Sequence, residues 1–285
     1  MAIFSIASFI ITLRETMEAA LIVGILLAYL NKTNNEKLKK DVWIGTGLAI
    51  LTSIIGAVIF NSVLGGFEGD TEKLFEGIIM TVAAVVLTWM IVWMFNNAHT
   101  LKFELEQKTD VVLSNESKYA LVGLAFVSVF REGIETVLFL SSVGENEGVV
   151  AESFGAISGI VIATILAGLF FRGTYDLNIK KFFNITSVIL IFFAAGLFSH
   201  AIHEFQELGY FGESTNFWNK IRWDSKGILN DKDNGFGSIM RALFGYQDTP
   251  SILEIVAYLF YWILIALMFI KVNKLTLPSD NTATA

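Results

Sequence analysis

Seven long apolar runs, separated by polar segments, set the plan of this 285-residue chain. They cover residues 3–30, 42–64, 74–95, 119–143, 154–171, 182–202 and 252–270. A helix needs about 20 apolar residues to cross a bilayer, and each run is near or above that length. None alternates apolar with polar positions, which argues against a closed transmembrane barrel. Two prolines in the whole chain leave most helices unbroken. The expected fold is all-α and integral to a membrane: one transmembrane domain over 1–285 with seven transmembrane helices. Segment 96–118 has mixed charge and room for a short surface helix. Segment 204–250 is the longest polar loop. The fifth run carries Gly155 and Gly159, a small-x-x-x-small pair that lets another helix approach closely.

The apolar pattern is broken twice, each time near the middle of a run. The breaks are Arg14-Glu15-Thr16-Met17-Glu18 and Arg131-Glu132-Gly133-Ile134-Glu135. Each charge at bilayer mid-depth costs on the order of 3 kcal/mol on insertion scales, so such residues mark a functional site by default. On a helix, residues three and four apart share a face. Glu15 and Glu18 therefore point the same way, with Arg14 beside Glu18, and Arg131, Glu132 and Glu135 repeat the arrangement. Brought together, four carboxylates and two guanidinium groups carry a net charge of -2. The arginines orient the carboxylates through bidentate contacts. The remaining negative charge wants a cation, and oxygen ligands suit a hard one such as ferric iron, manganese, calcium or magnesium. An ion-pair lock between helices is the plainer reading, but an unbalanced buried cluster is a poor stability device. A proton relay through the glutamates is a third use, and it is compatible with metal passage.

Basic residues orient the chain. The first, third and fifth loops and the tail hold 4, 3, 3 and 2 lysines or arginines, against 1 and 0 in the second and fourth loops. Positive-inside places the N-terminus outside and the C-terminus in the cytoplasm. The first span then runs inward and the fourth outward. Spans one to three and four to six are expected to form a 3+3 inverted repeat, with the seventh extra. Such repeats commonly hold their substrate at mid-depth on the repeat interface, where the two motifs would meet. Trp89 and Trp93, near the end of the third run, read as interface anchors.

Composition narrows the chemistry. Hydrophobic residues make up 54% and charged residues 16%, the balance of an integral membrane protein. There is no cysteine, which removes disulfides, thiolate metal sites and iron–sulfur clusters. Three histidines give little support to a membrane cytochrome. The N-terminus lacks a basic n-region and a small-residue cleavage site, and reads as the first span. No tightly bound cofactor and no nucleic-acid partner are expected; membrane lipid is.

A second constellation closes the sixth run. His200, His203, Glu204 and Glu207 are spaced three and four apart and share a helical face, a candidate metal-collecting site at the outer mouth. Glu76, near the outer end of the third run, is placed to line the entrance. Glu68, Asp70, Glu72, Glu145, Glu147 and Glu152 form an acidic outer rim that raises local cation concentration. Asp231-Lys232-Asp233-Asn234-Gly235 misses the spacing and the distal glutamate of a calcium loop. His99 falls on the cytoplasmic side and carries no assignment.

The two Arg-Glu-x-x-Glu motifs, in the first and fourth of seven spans, resemble the oxidase-dependent iron permease family: the fungal high-affinity iron permease and its bacterial relatives. Thr136-Val137-Leu138-Phe139 after the second motif, Ala201-Ile202-His203-Glu204-Phe205-Gln206-Glu207, and Leu243-Phe244-Gly245-Tyr246 extend the resemblance over essentially the whole chain. It implies a transporter, not an enzyme, that carries iron inward across the cytoplasmic membrane. It implies Glu15, Glu18, Glu132 and Glu135 as iron ligands, with Arg14 and Arg131 orienting them. It further implies that ferrous iron is oxidised outside by a separate partner, a multicopper oxidase or a haem peroxidase with an iron-binding protein, and is received as Fe3+. No large extracytoplasmic extension accompanies the spans, so that partner is expected to be another chain. Family relatives assigned to lead or other metals leave Pb2+ or Mn2+ as alternative cargo. A membrane metal-dependent enzyme is a weaker alternative, because no nucleophile or His-based zinc motif lies beside the mid-depth glutamates. A sensor would bind metal without flux.

Overall fold

The computed structural model describes residues 4–97, 100–114, 119–143, 148–173, 179–212, 216–230 and 235–276. The rim residues Glu145 and Glu147, His99, and Asp231 to Asn234 lie outside the described residues. Those described form α-helices and no strand. In chain order the helices are α1 (Ile6–Lys32), α2 (Lys39–Leu64), α3 (Asp70–Asn97), α4 (Leu101–Ser114), α5 (Ala120–Val143), α6 (Val149–Phe171), α7 (Ile179–Glu207), α8 (Gly235–Phe244) and α9 (Ile252–Thr276). The segment between the third and fourth apolar runs thus holds a helix, α4, as its composition allows.

Several helices overrun the apolar runs that announced them. Helix α6 begins at Val149, not at 154, and α7 continues past 202 to Glu207. Hydropathy marks the part of a helix that lipid tolerates, whereas the backbone ladder continues until something breaks it. For α7 the break is Gly209, at φ +78°, with Leu208 N donating to Glu204 O at 3.2 Å just before it. His203, Glu204 and Glu207 therefore sit on the last turns of a helix and do not open the polar loop.

Among the described residues, five helical stretches are long and apolar enough to cross a bilayer: Glu36–Val63, Asp70–Phe95, Val149–Phe171, Ile179–Glu207 and Ile252–Lys271. Helices α1 and α5 have 27 and 24 residues, about 40 and 36 Å at 1.5 Å per residue. They differ from the five in carrying the three ionisable residues of each motif. Outer faces of the bundle are apolar: Leu51, Ile54 and Val58 on α2 and Ile157 and Ile165 on α6 are all exposed. That is the reverse of a water-soluble helix and suits a hydrocarbon surround.

Helix pairing follows from where the small residues are. Helix α1 packs chiefly on α6, α2 on α5 and α3 on α7, while α1 and α5 meet at the centre. Helix α9 covers α7 and α3, and α4 lies against α1 and α5. Ser5 caps α1 by accepting from Ser8 N at 3.1 Å, and its own N–H donates to Ala151 O at 3.0 Å, tying the cap to α6. A Cβ added at Gly155 of α6 would collide with Ser5 O and come to 3.3 Å from Phe9 N. One added at Gly45 of α2 would collide with Val122 O and come to 3.1 Å from Phe126 N. Ser5 and Val122 each precede their motif arginine, Arg14 or Arg131, by nine residues. The two crossings are thus built at the same place relative to the two motifs.

Overpacking a closed helix contact costs about 1–3 kcal/mol, and more when the obstacle is backbone. Gly45→Leu and Gly155→Leu are each expected to lower the melting temperature of the purified protein by at least that equivalent. Gly47→Leu, on α2 but facing open space, is expected to leave it unchanged.

Candidate metal centre

Helix periodicity puts both acids of each motif on one face, and the α1–α5 crossing turns the two faces toward each other. Arg14 is fully buried. Its Nη1 lies 3.0 Å from Glu15 Oε1 and its Nη2 2.8 Å from Glu18 Oε1. Nη1 also approaches Met90 Sδ of α3 at 3.3 Å. On α5, Arg131 Nε donates to Glu135 Oε1 at 2.9 Å and stands 4.0 Å from Glu132 Oε1. The four glutamates are all buried. The second arginine is not: 44% of the Arg131 side chain is exposed, and its guanidinium lies 5.9 Å from the Trp93 ring centroid. Trp93, read from sequence as an interface anchor, thus faces the motif, within cation–π reach.

Three of the four carboxylates converge. Ligand oxygens of Glu15, Glu132 and Glu135 lie within 4.8 Å of one another. Each of the three also leaves its Oε2 buried and without a hydrogen-bond partner. An unpartnered buried carboxylate oxygen is costly unless a cation or donor completes it. Glu18 shares the cluster but is drawn to Arg14. With Arg14 and Glu18 set against each other, Glu15, Glu132 and Glu135 outnumber the remaining cation, Arg131, by two. An all-oxygen, net-negative, dry cage suits a hard cation. Gly133, inside the second motif, serves packing: a Cβ there would collide with Ser53 Oγ of α2. Its lack of a side chain lets α2 close over the back of α5, opposite the acids.

The His-Glu constellation at the end of α7 is only partly as the spacing suggests. His203 Nδ1 lies 2.8 Å from Glu254 Oε1, and its Nε2 lies 3.2 Å from Glu207 Oε1. Lys73 Nζ sits 2.6 Å from Glu207 Oε2. His200 turns elsewhere: Arg241 Nη2 is 2.9 Å from its Nε2 and the Gln247 amide 2.8 Å from its Nδ1. Glu204 is half-buried on the same turn, and Glu76 is half-buried on α3 one turn beyond Lys73. Sequence reasoning missed Glu254, Lys73 and Arg241. Glu254 had a signal: it is an acid inside a long apolar run, in the first turn of α9.

At the other end of the bundle a cavity of about 690 Å³ opens within one helical turn of the motif. Leu21, Met94 and Phe183 form its deep wall, and Tyr29, Lys32 and Glu106 its polar rim. Tyr29 OH donates to Asp110 of α4, fixing that helix beside the cavity.

The sequence profile of the iron permease FTR1 family matches residues 5–277. The ferrous iron permease EfeU of Escherichia coli O6:K15:H31 is 36% identical over 279 residues, 97% of each chain. The ferrous iron permease EfeU of Shigella sonnei is 36% identical over 257 residues, 90% of this chain and 91% of that protein. The ferrous iron permease EfeU of Yersinia pestis is 33% identical over 277 residues, 96% of this chain and 94% of that protein. No solved structure matches the chain.

The two arginines differ in burial, so their removal is expected to differ in cost. Breaking a buried ion pair on one side costs about 3–5 kcal/mol. Arg14→Gln is expected to destabilise the protein by that order in chemical denaturation. Arg131→Gln, at a half-exposed site, is expected to cost less than half as much.

Proposed function

The chain belongs to the iron permease FTR1 family, and from that membership we propose that it imports iron through the carboxylates at the α1–α5 crossing. The observation that carries this reading is the trio Glu15, Glu132 and Glu135, buried, mutually within 4.8 Å, each with one unpartnered oxygen. Iron is the cargo and these oxygens are its ligands. Arg14 and Arg131 hold the carboxylates in place, and Glu18 balances Arg14 until ligands exchange. The all-oxygen donor set favours Fe3+, formed outside the membrane by a separate oxidase or peroxidase and passed on by an iron-binding protein.

Helices α1 and α5 complete a set of seven spans with α2, α3, α6, α7 and α9. The N-terminus lies outside the cytoplasmic membrane and the C-terminus inside. Helices α1–α3 and α5–α7 form an inverted repeat, with α9 added. Exchanging the halves turns the α1–α6 pairing into the α5–α2 pairing and leaves α3–α7 and α1–α5 unchanged, which supports this arrangement. The matching seats of Gly45 and Gly155 support it further. The cavity beside Leu21 and Met94 is then the cytoplasmic vestibule into which iron is released.

Radiolabelled iron uptake into proteoliposomes tests the reading, with iron supplied as Fe(III)-citrate or as Fe(II) under ascorbate and with Mn2+ and Pb2+ as competitors. Glu15→Ala and Glu132→Ala are each expected to reduce uptake at least about tenfold, on the scale that loss of metal-site partners usually produces. Wild-type uptake that survives both substitutions sinks the proposal. Competition by Mn2+ or Pb2+ at equal concentration moves the assignment to that cation.

A further inference from the structure

We propose that His203 and Glu207, with Glu254 behind them, form a separate transition-metal site where iron first meets the protein. The inference deepens the uptake reading, on which it rests for which face meets iron first. The cluster lies at the bundle end where Ala7 and Ile10 of α1 pack with Ala201 of α7, the opposite end from the 690 Å³ cavity.

The argument starts with Glu254. It is 2% exposed, although it lies in the first turn of a largely apolar helix. One oxygen takes His203 Nδ1 at 2.8 Å; the other, Oε2, is buried without a partner. The backbone around it is secured, with Glu254 N donating to Ser251 Oγ at 3.2 Å and Ser199 Oγ donating to Glu254 O at 3.1 Å. A buried, half-satisfied carboxylate behind an imidazole is the usual partner of a metal-binding histidine. It accepts the Nδ1 proton, fixes the ring, and leaves Nε2 to the metal.

His203 Nε2 faces outward. The His203 and Glu207 side chains are 39% and 43% exposed, and Nε2 stands 3.2 Å from Glu207 Oε1. A cation reaching that pair meets one imidazole nitrogen and one carboxylate at once. Glu204 lies within electrostatic reach of both His203 and Lys73 and adds negative field. In the structure the Lys73 ammonium, 2.6 Å from Glu207 Oε2, fills the positive role. It is a tethered cation that an arriving metal displaces. His200 does not belong to the site, because both its ring nitrogens are engaged and one faces a guanidinium.

The donor set assigns a task that the central site does not perform. Oxygen-only carboxylates do not exclude Ca2+ or Mg2+, which prefer such ligands. Adding an imidazole shifts preference toward first-row transition cations. The outer site therefore selects a transition cation from the bulk hard cations before it reaches Glu15, Glu132 and Glu135.

Co2+ titration of the full-length protein in nanodiscs tests this, in a Glu15→Gln, Glu132→Gln background that disables the central carboxylates. One Co2+ per chain with visible ligand-field bands is expected, undisturbed by excess Ca2+. His203→Gln is expected to abolish the bands, and Glu254→Gln to weaken binding about 10–100-fold. Because Glu254 is buried, Lys73→Gln provides an independent arm at the surface: removing the competing ammonium is expected to tighten binding. Bands that persist in His203→Gln, that vanish in His200→Gln, or that Ca2+ displaces overturn the proposal, as does unchanged or weaker binding in Lys73→Gln. Iron uptake by the protein with its central site intact separates the two readings. Uptake without an outer Co2+ site sinks this inference alone, whereas no uptake with the Co2+ site present sinks the reading on which it rests.

Discussion

The rest of the structure depends on an imbalance of buried charge. Four carboxylates and two guanidinium groups stand at the centre of an apolar bundle, and the acids outnumber the bases by two. Fully ionised, the cluster keeps a net charge of -2 that a bound cation or added protons must offset. Burying unpaired charge is far more costly than burying a paired one. The helices that enclose it must therefore earn that cost by tight packing elsewhere. The glycine-seated crossings of α1 on α6 and α2 on α5 supply such packing, and they flank the cluster on both sides.

The two motifs share a spacing but not an environment. Arg14 is sealed against Glu15, Glu18 and Met90, whereas Arg131 is half-exposed and lies beside Trp93. The surroundings account for the difference. Helix α1 is wrapped by α2, α4, α5, α6, α7 and α8, whereas α5 packs on α1, α2, α3 and α4. Identical motif spacing thus yields one rigid guanidinium and one with room to move.

Helix α7 connects the proposed outer site to this centre through packing. Leu197 and Ala201 belong to the same buried cluster as Ile11 of α1 and Phe139 of α5, which lie between the His203 turn and the motif. The layer between the two sites is packed with apolar side chains. Passage by the proposed route would require this layer to open, by movement of the helices or by a rotamer change at large side chains such as Phe139, which is fully buried.

Properties local to one helix were legible in the sequence. Periodicity alone put Glu15 with Glu18 and Glu132 with Glu135 on shared faces, and apolar run length announced the long helices. The small pair Gly155 and Gly159 announced a close crossing. What crosses between helices was not legible. Spacing put Arg14 beside Glu18, but it did not say which three of the four carboxylates would converge. Nor did it separate His200 from His203, three residues apart on one helix, because their fates depend on Arg241 and Glu254 from other helices. The physical reason is one of range. A helix fixes the direction of its own side chains through bonds four residues apart. Which group meets them there depends on crossing angles and on glycine-sized gaps between helices far apart in the chain, and only the assembled bundle determines those.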